Sequence, residues 1–204
     1  LDLLQPGALA KLPDTRNVIY MVAMKFGTQG QEHLTWAQNA FLPGLVGERF
    51  RDSRIMAFST GNVYPLVPVA SGGSVEEDTP DPLGEYAMSC LGRERLFEYA
   101  SHQYGTEVLL YRLNYAVELR YGTLVDIALR IVNREPIDLS MGHMNLIWQG
   151  DANDIALRSL SLCSSPPQVL NVTGPETVSV RKVALALGEL MGEEPILVGE
   201  EQDT

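Results

Sequence analysis

The sequence predicts an α/β fold: a parallel sheet flanked by helices, followed by a smaller α/β unit on its C-terminal side. Short, nearly continuous apolar runs rich in Val and Ile alternate with longer stretches whose apolar residues recur at helical spacing. The strand-like runs are apolar on both faces, as strands buried between two helical layers must be. The 204 residues, 45% hydrophobic and 20% charged, suit one medium globular domain with an appendage.

The elements follow in order. Asn17–Ala23 (NVIYMVA) reads as a buried strand. Leu34–Phe50 carries apolar residues at helical spacing, and Arg54–Ser59 (RIMAFS) is a second buried strand. Thr60–Gly84 is rich in Pro, Gly and acidic residues, so it reads as a long loop of the kind that is usually functional or mobile. Its run Glu76-Glu77-Asp78 reads as a solvated stretch. Glu85–Tyr104 is helical, Glu107–Arg112 a third strand and Gly122–Asn133 a further helix. Beyond it, Ile137–Leu139 and Leu146–Trp148 are short strand candidates and Asp151–Leu162 is a helix. Gln168–Val172 is a strand returning to the core. Ser179–Met191 is a helix that starts behind a GPET turn and stops at Gly192, and VGEEQDT at the end should fray. The expected division is 1–135 for the sheet-bearing core and 136–204 for the mixed C-terminal part.

The charge balance excludes some functions. A formal net charge of −11 argues against nucleic acid, whose phosphates need clustered Lys and Arg, and an acidic surface repels anionic lipid headgroups. No apolar run approaches the roughly 20 residues of a bilayer span, and no signal-peptide pattern opens the chain. Cys90 and Cys163 each sit in a helix-like stretch, which points away from a disulfide framework and toward a reducing, cytoplasmic setting. His33, His102 and His143 lack metal-ligand spacing. The abrupt opening LDLLQPGALAKL suggests a front that is not part of this chain.

Three segments carry the chemistry: FSTGNVYP (Phe58–Pro65), YAMSC (Tyr86–Cys90) and RLN (Arg112–Asn114). Each falls at or just after the C-terminal end of a strand, or at the start of the helix that follows, where open α/β sheets bind ligands. A hydroxyl at a strand end and a Tyr opening the next helix could hold a substrate hydroxyl between two oxygens. The Tyr could then take the hydroxyl proton as hydride leaves the carbon.

These segments, in this order, resemble the extended short-chain dehydrogenase/reductase family of NAD-dependent epimerases and dehydratases. Ser59-Thr60-Gly61-Asn62-Val63-Tyr64 is similar to its Ser/Thr motif ending in V-Y-G, and Tyr86 to the Tyr of Y-x-x-x-K. Glu94 matches the acid that often follows. NVIYMVA resembles the family's fourth strand, and Asn39 the Asn of the next helix. LIWQGDANDIA, with Asp151, and VLNVTGPETVSVRKVALALGELMG resemble two later segments. The resemblance implies a Rossmann-like sheet truncated at its N-terminus, with NAD or NADP as cofactor and a sugar or nucleotide-sugar as substrate. It also implies a possible homodimer through Leu34–Phe50 and Glu85–Tyr104. Thr60 and Tyr86 would be catalytic; Ala23, Ser59, Tyr86, Cys90, Arg112 and Asn114 would face the cofactor. Gly61-Asn62, where the family's dehydratases carry acid/base residues, disfavours dehydration.

Two departures bear on activity. The family's G-x-x-G-x-x-G segment is absent, and Gly27-Thr-Gln-Gly30 is a poor substitute, because His33 occupies the third glycine position. Cys90 stands where the family has the lysine that holds the ribose and lowers the Tyr pKa. Tyr ionises near pH 10, so only about 0.1% is phenolate at pH 7. A nearby cation can lower a pKa by about 1–3 units, so losing it could cost up to about a thousandfold in ready base. Arg93 and Arg95 share the helix but neither sits one turn from Tyr86, which leaves Lys25 as the candidate replacement cation. Cys90 itself reads as a buried filler or as a nucleophile. Arg112 and Asn114 either close the sheet end or touch ligand. The whole protein is then an NAD(P)-dependent oxidoreductase or epimerase, this chain alone being inactive, or else a non-catalytic ligand-sensing or interaction protein.

Overall fold

The computed structural model describes residues 1–25 and 29–203, so Gly27 of the candidate glycine turn lies outside the described residues. In chain order the first elements are β1 (Asn17–Tyr20), α1 (Glu32–Trp36), a π-helical turn (Ala37–Phe41), α2 (Leu42–Arg49), β2 (Arg54–Thr60), α3 (Gly84–Tyr104) and β3 (Val108–Leu113). There follow β4 (Ala116–Val117), α4 (Thr123–Val132), β5 (Ile137–Asp138), β6 (His143–Asn145) and β7 (Ile147–Trp148). The last are α5 (Gln149–Ser159), β8 (Gln168–Val172), β9 (Thr177–Ser179), α6 (Val180–Met191) and β10 (Leu197–Val198). They fall into two interleaved compact units: 1–65, 76–113 and 155–171 in one; 66–75, 114–154 and 172–204 in the other.

The first unit is built on the sheet β1–β2–β3–β8, in which β1, β2 and β3 run parallel. Ile55, Met56 and Ala57 in β2 and Val108, Leu109, Leu110 and Tyr111 in β3 are fully buried. Residues on both faces of the sheet are therefore covered, which is why these strands read as unbroken apolar runs. Tyr20, Leu42, Val46, Phe50 and Phe97 close one face over Ile55, Ala57, Val108 and Leu110. Tyr20 meets Phe97 edge-on, with ring centroids 5.3 Å apart.

The helical run expected over Leu34–Phe50 is present from Glu32 to Arg49, but it widens into a π turn at Ala37–Phe41. Pro43 supplies the reason. It has no N–H for the carbonyl of Asn39, four residues back, and its ring crowds that carbonyl. α2 and α3 then approach each other through small residues. A Cβ on Gly47 would sit 2.8 Å from Ala100 Cβ, and one on Gly92 would sit 3.2 Å from Ala40 Cβ. α3 stops at Gly105, whose φ of +74° is the left-handed C-cap that glycine adopts without strain.

The second unit holds three strand pairs: β4 with β7, β6 with β9 and β5 with β10. Its core gathers Ile127, Ile131, Ile137, Leu139, Met144, Val180 and Ala184. Two expectations are corrected here. α6 is entered from a strand, β9, rather than directly from a turn. The C-terminal tail is tied down: Leu197–Val198 pairs with Ile137–Asp138, and Glu201 accepts hydrogen bonds from Ser179 Oγ at 2.8 Å and Arg181 Nε at 2.7 Å. Among the described residues no helix is long and apolar enough to cross a membrane.

Candidate functional site

The site is set by the end of β2 and the first two turns of α3. Thr60 closes β2 in extended backbone and is buried. Its Oγ1 accepts the Asn62 backbone N–H at 3.2 Å, so the strand stops and the chain turns away from the sheet. Tyr86 enters from the first turn of α3, half-buried, and Thr60 and Cys90 both stand close enough to its hydroxyl to shift its ionisation. Residues from two motifs far apart in sequence therefore converge on one phenolic oxygen. A cleft of about 400 Å³ opens beside it, lined by Gln29, Glu32, Asn62, Leu83, Glu85 and Tyr86 among others.

Burial pushes the Tyr86 phenol up, and the neighbouring Cys90 pushes it further, while Arg93 and Thr60 pull it back. Cys90 is fully buried one turn on, and burial likewise pushes its thiol up against the pull of Arg93. A buried thiol held protonated is a poor nucleophile, which favours the filler reading of Cys90.

Arg93 is the cation that one-turn spacing did not reveal. It lies two turns past Tyr86, at i+7 and so on the same face. Its Nη1 donates to the Phe58 carbonyl at 2.6 Å and its Nη2 to Asn39 Oδ1 at 3.2 Å. Asn39 sits in the π turn and stitches the segment after β1 to α3. Its Oδ1 accepts the Met24 N–H at 2.7 Å, and its Nδ2 donates to the Met24 carbonyl and to Ser89 Oγ, both at 3.0 Å. Lys25, the cation favoured on sequence, is exposed and pulls on Cys90 less than Arg93 does.

Ser59 and Arg112 belong to a different constellation. The Glu94 side chain, fully buried, accepts Ser59 Oγ at 2.5 Å and a two-pronged pair from Arg112, Nε at 3.0 Å and Nη2 at 2.7 Å. Arg112 Nη1 donates to the Tyr64 hydroxyl at 2.5 Å, and that hydroxyl donates to Asn171 Oδ1 at 3.0 Å. The network thus ties β2, α3, β3 and β8 together inside the unit. Ala23 is exposed in the segment after β1. Asn114, at the start of the other unit's portion of the chain, donates its backbone N–H to the Val172 carbonyl.

The buried acids set an alkaline limit. Burial pushes Cys163 up to about 11 and Tyr20 and Tyr111 each up to about 12, and it raises Cys90 and Tyr86 as well. In the unfolded chain these thiols and phenols ionise near 9 and 10. Their folded pKa values lie higher, so the stability they contribute is complete below about pH 9 and is lost as pH climbs through 9 to 12. The urea midpoint at fixed ionic strength is expected to be flat from pH 7 to 8.5 and to fall steeply by pH 10.5. A midpoint unchanged at pH 10.5 contradicts the burial of these groups.

No family model matches the chain, and no curated protein matches it. Solved structures do. UDP-glucuronic acid 4-epimerase from Bacillus cereus, in complex with UDP-glucuronic acid and NAD, superposes with a TM-score of 0.84 at 16% identity over 100% of this chain and 68% of its own. UDP-glucose 4-epimerase from Thermus thermophilus, in complex with NAD, gives 0.80 at 19% identity over 100% and 71%. RMD from Pseudomonas aeruginosa, complexed with NADPH, gives 0.82 at 20% identity over 98% and 75%. The chain therefore has the fold of these proteins, the Rossmann-like α/β architecture with a parallel sheet flanked by helices.

Proposed function

We propose that this chain is the larger part of an NAD(P)-dependent oxidoreductase or epimerase of the extended short-chain dehydrogenase type. Its substrate would be a sugar or nucleotide-sugar, attacked at a hydroxyl-bearing carbon. One observation carries the reading: the Tyr86 hydroxyl stands beside Thr60, at the C-terminal end of a parallel strand and next to an open cleft. The fold shared with nucleotide-sugar 4-epimerases supports it.

The residues fit the reacting end of a nicotinamide cofactor. Tyr86 is half-buried at the cleft, so it could border the ring; Ala23 is exposed after β1 and does not line that cleft. They fit the ribose less well, because Cys90 is fully buried and offers no ammonium. Ser59 and Arg112 are spent on Glu94. Bound there, the cofactor would accept hydride from the substrate carbon and return it. Thr60 orients the substrate hydroxyl, and Tyr86 takes its proton as the carbonyl forms, then gives the proton back when hydride returns. With Gly61-Asn62 after Thr60, nothing in this motif supplies the extra acid and base that dehydration needs. A homodimer through the helices over Leu34–Phe50 and Glu85–Tyr104 belongs to the same reading.

The test is a scan of NAD and NADP with UDP-glucose, UDP-glucuronic acid and GDP-mannose, reading reduced nicotinamide at 340 nm. Reduced cofactor or an epimerised sugar is expected with at least one pair when the protein carries a dinucleotide-binding strand-turn-helix. The 204-residue chain alone, without that motif, should bind NADH with an affinity weaker than micromolar. Tight binding of a sugar nucleotide with no hydride transfer to any cofactor would instead favour a ligand-sensing protein, the reading that Cys90 in the lysine position supports.

A further inference from the structure

The helix that carries Tyr86 also carries a buried charge that this mechanism has not used. Arg93 is 3% exposed. Two of its nitrogens bond neutral acceptors, the Phe58 carbonyl and Asn39 Oδ1, and its Nε is buried without a partner. The Tyr20 ring lies 5.8 Å from the guanidinium carbon. Among the described residues no carboxylate pairs with Arg93, because its neighbour Glu94 is held by Arg112 and Ser59. A guanidinium cannot discharge in a protein, and a buried charge without a counter-charge is costly. Any ionisable group in its field is therefore favoured in its anionic form. Cys90 and Tyr86 are such groups, close neighbours one turn apart, and with Arg93 they stand at i, i+4 and i+7 on one helical face.

We propose that Arg93 is the positioning cation of this site, supplying from i+7 the positive potential that lets the Tyr86 hydroxyl release its proton, in place of an ammonium at position 90. The groups facing Tyr86 and Cys90 divide by sign. Arg93 on α3, Thr60 on β2 and Lys25 after β1 favour ionisation of one or the other. Burial and Glu94 oppose ionisation of Cys90, and burial and Cys90 oppose that of Tyr86. Arg93 pulls in the same direction on Tyr20 of β1, so its field reaches across the sheet-facing side of the helix. Its consequence for catalysis rests on the function proposed above; the electrostatic part does not.

The experiment replaces residue 86 alone by 3,5-difluorotyrosine, whose phenol ionises well below that of tyrosine, and follows its fluorine resonance against pH. In Arg93→Gln, which keeps a donor for the Phe58 carbonyl but loses the charge, the midpoint is expected to rise by about one pH unit or more. In Arg93→Lys it should stay within about half a unit of the parent. Circular dichroism checks the fold, and Arg93→Met replaces the glutamine variant where that one does not fold. A neutral variant that folds and moves the midpoint by less than about 0.3 unit overturns the proposal. So does Arg93→Lys moving it as far as a neutral residue does, since shape rather than charge would then be responsible. The titration needs no turnover, so a chain that never transfers hydride sinks the proposed function and leaves this result standing. Where turnover is found, the pH midpoint of kcat/KM should move in Arg93→Gln by the same amount and in the same direction.

Discussion

Glu94→Ala is expected to cost the chain about 3–5 kcal/mol of stability, because it removes one partner of a buried ion pair and leaves Arg112 charged and desolvated. Arg112 and Glu94 are 4% and 0% exposed, and their closest N–O distance is 2.7 Å. Ser59 would lose its acceptor in the same step. Domains of this size hold only about 5–15 kcal/mol in total, so the variant should be half-unfolded by mild urea or warming. Glu94→Gln keeps the shape and one acceptor oxygen, and should fall between the two. The informative companion is Glu94→Leu with Arg112→Met. Removing both charges removes the desolvation of both, so the double variant should be markedly more stable than either single one. Urea unfolding followed by circular dichroism gives the cycle directly. Single variants that lose less than about 1 kcal/mol, or losses that simply add, would mean that the pair is open to water and that Arg112 is free to meet a ligand.

That network also shows how far the sequence could be read. Glu94 was visible as the acid that follows the Tyr motif. Its partners lie 35 and 18 residues away in Ser59 and Arg112, and no local spacing joins them. From the sequence, Ser59 reads as a cofactor-facing residue at a strand end, and Arg112 as closing the sheet end or touching ligand. The strands themselves were legible, because β2 and β3 are buried on both faces and carry unbroken apolar runs. Ile137–Leu139 and Leu146–Trp148 read as strands and hold β5 and β7, whereas β4 and β10 carry two residues each, too few to display a period. The tail has the composition of a solvated end, yet Glu201 anchors it by hydrogen bonds from Ser179 and Arg181.

Arg93 illustrates a different blind spot. One turn from Tyr86 stands Cys90, which carries no positive charge. The face continues to i+7, and two turns of helix span only about 10 Å. The residue that makes the difference physical is Asn39, placed by the π turn so that its Oδ1 holds Arg93. Pro43 announces that turn in the sequence, but only as a disturbance in a helix. Which side chain the disturbance would direct inward is decided by the packing of α2 on α3, where Gly44, Gly47 and Gly92 let the helices close together.

Tyr86→Phe is expected to lower kcat by about 10²–10⁴-fold with little change in KM. The substitution keeps the ring in its half-buried place and removes only the oxygen that Thr60 and Cys90 address. The pH profile makes the test specific. Tyr86 is pushed above the ordinary phenol range, so at pH 7 it is almost wholly protonated, and the phenolate fraction grows about tenfold for each pH unit below its pKa. Oxidation of the substrate alcohol, which needs the base, should therefore accelerate with pH across the neutral range. Reduction of the carbonyl, which needs the proton donor, should stay flat there. In Tyr86→Phe the rise of oxidation with pH vanishes, because the group that titrates is gone. Thr60→Val should cost less, about tenfold to a hundredfold, and should leave the slope with pH intact, since Thr60 orients the hydroxyl without exchanging its proton. If the Phe variant turns over a confirmed substrate at the parent rate, the base is elsewhere. If it loses turnover but keeps the parent's pH slope, the titrating group is another residue, and Cys90 is the neighbour to examine first.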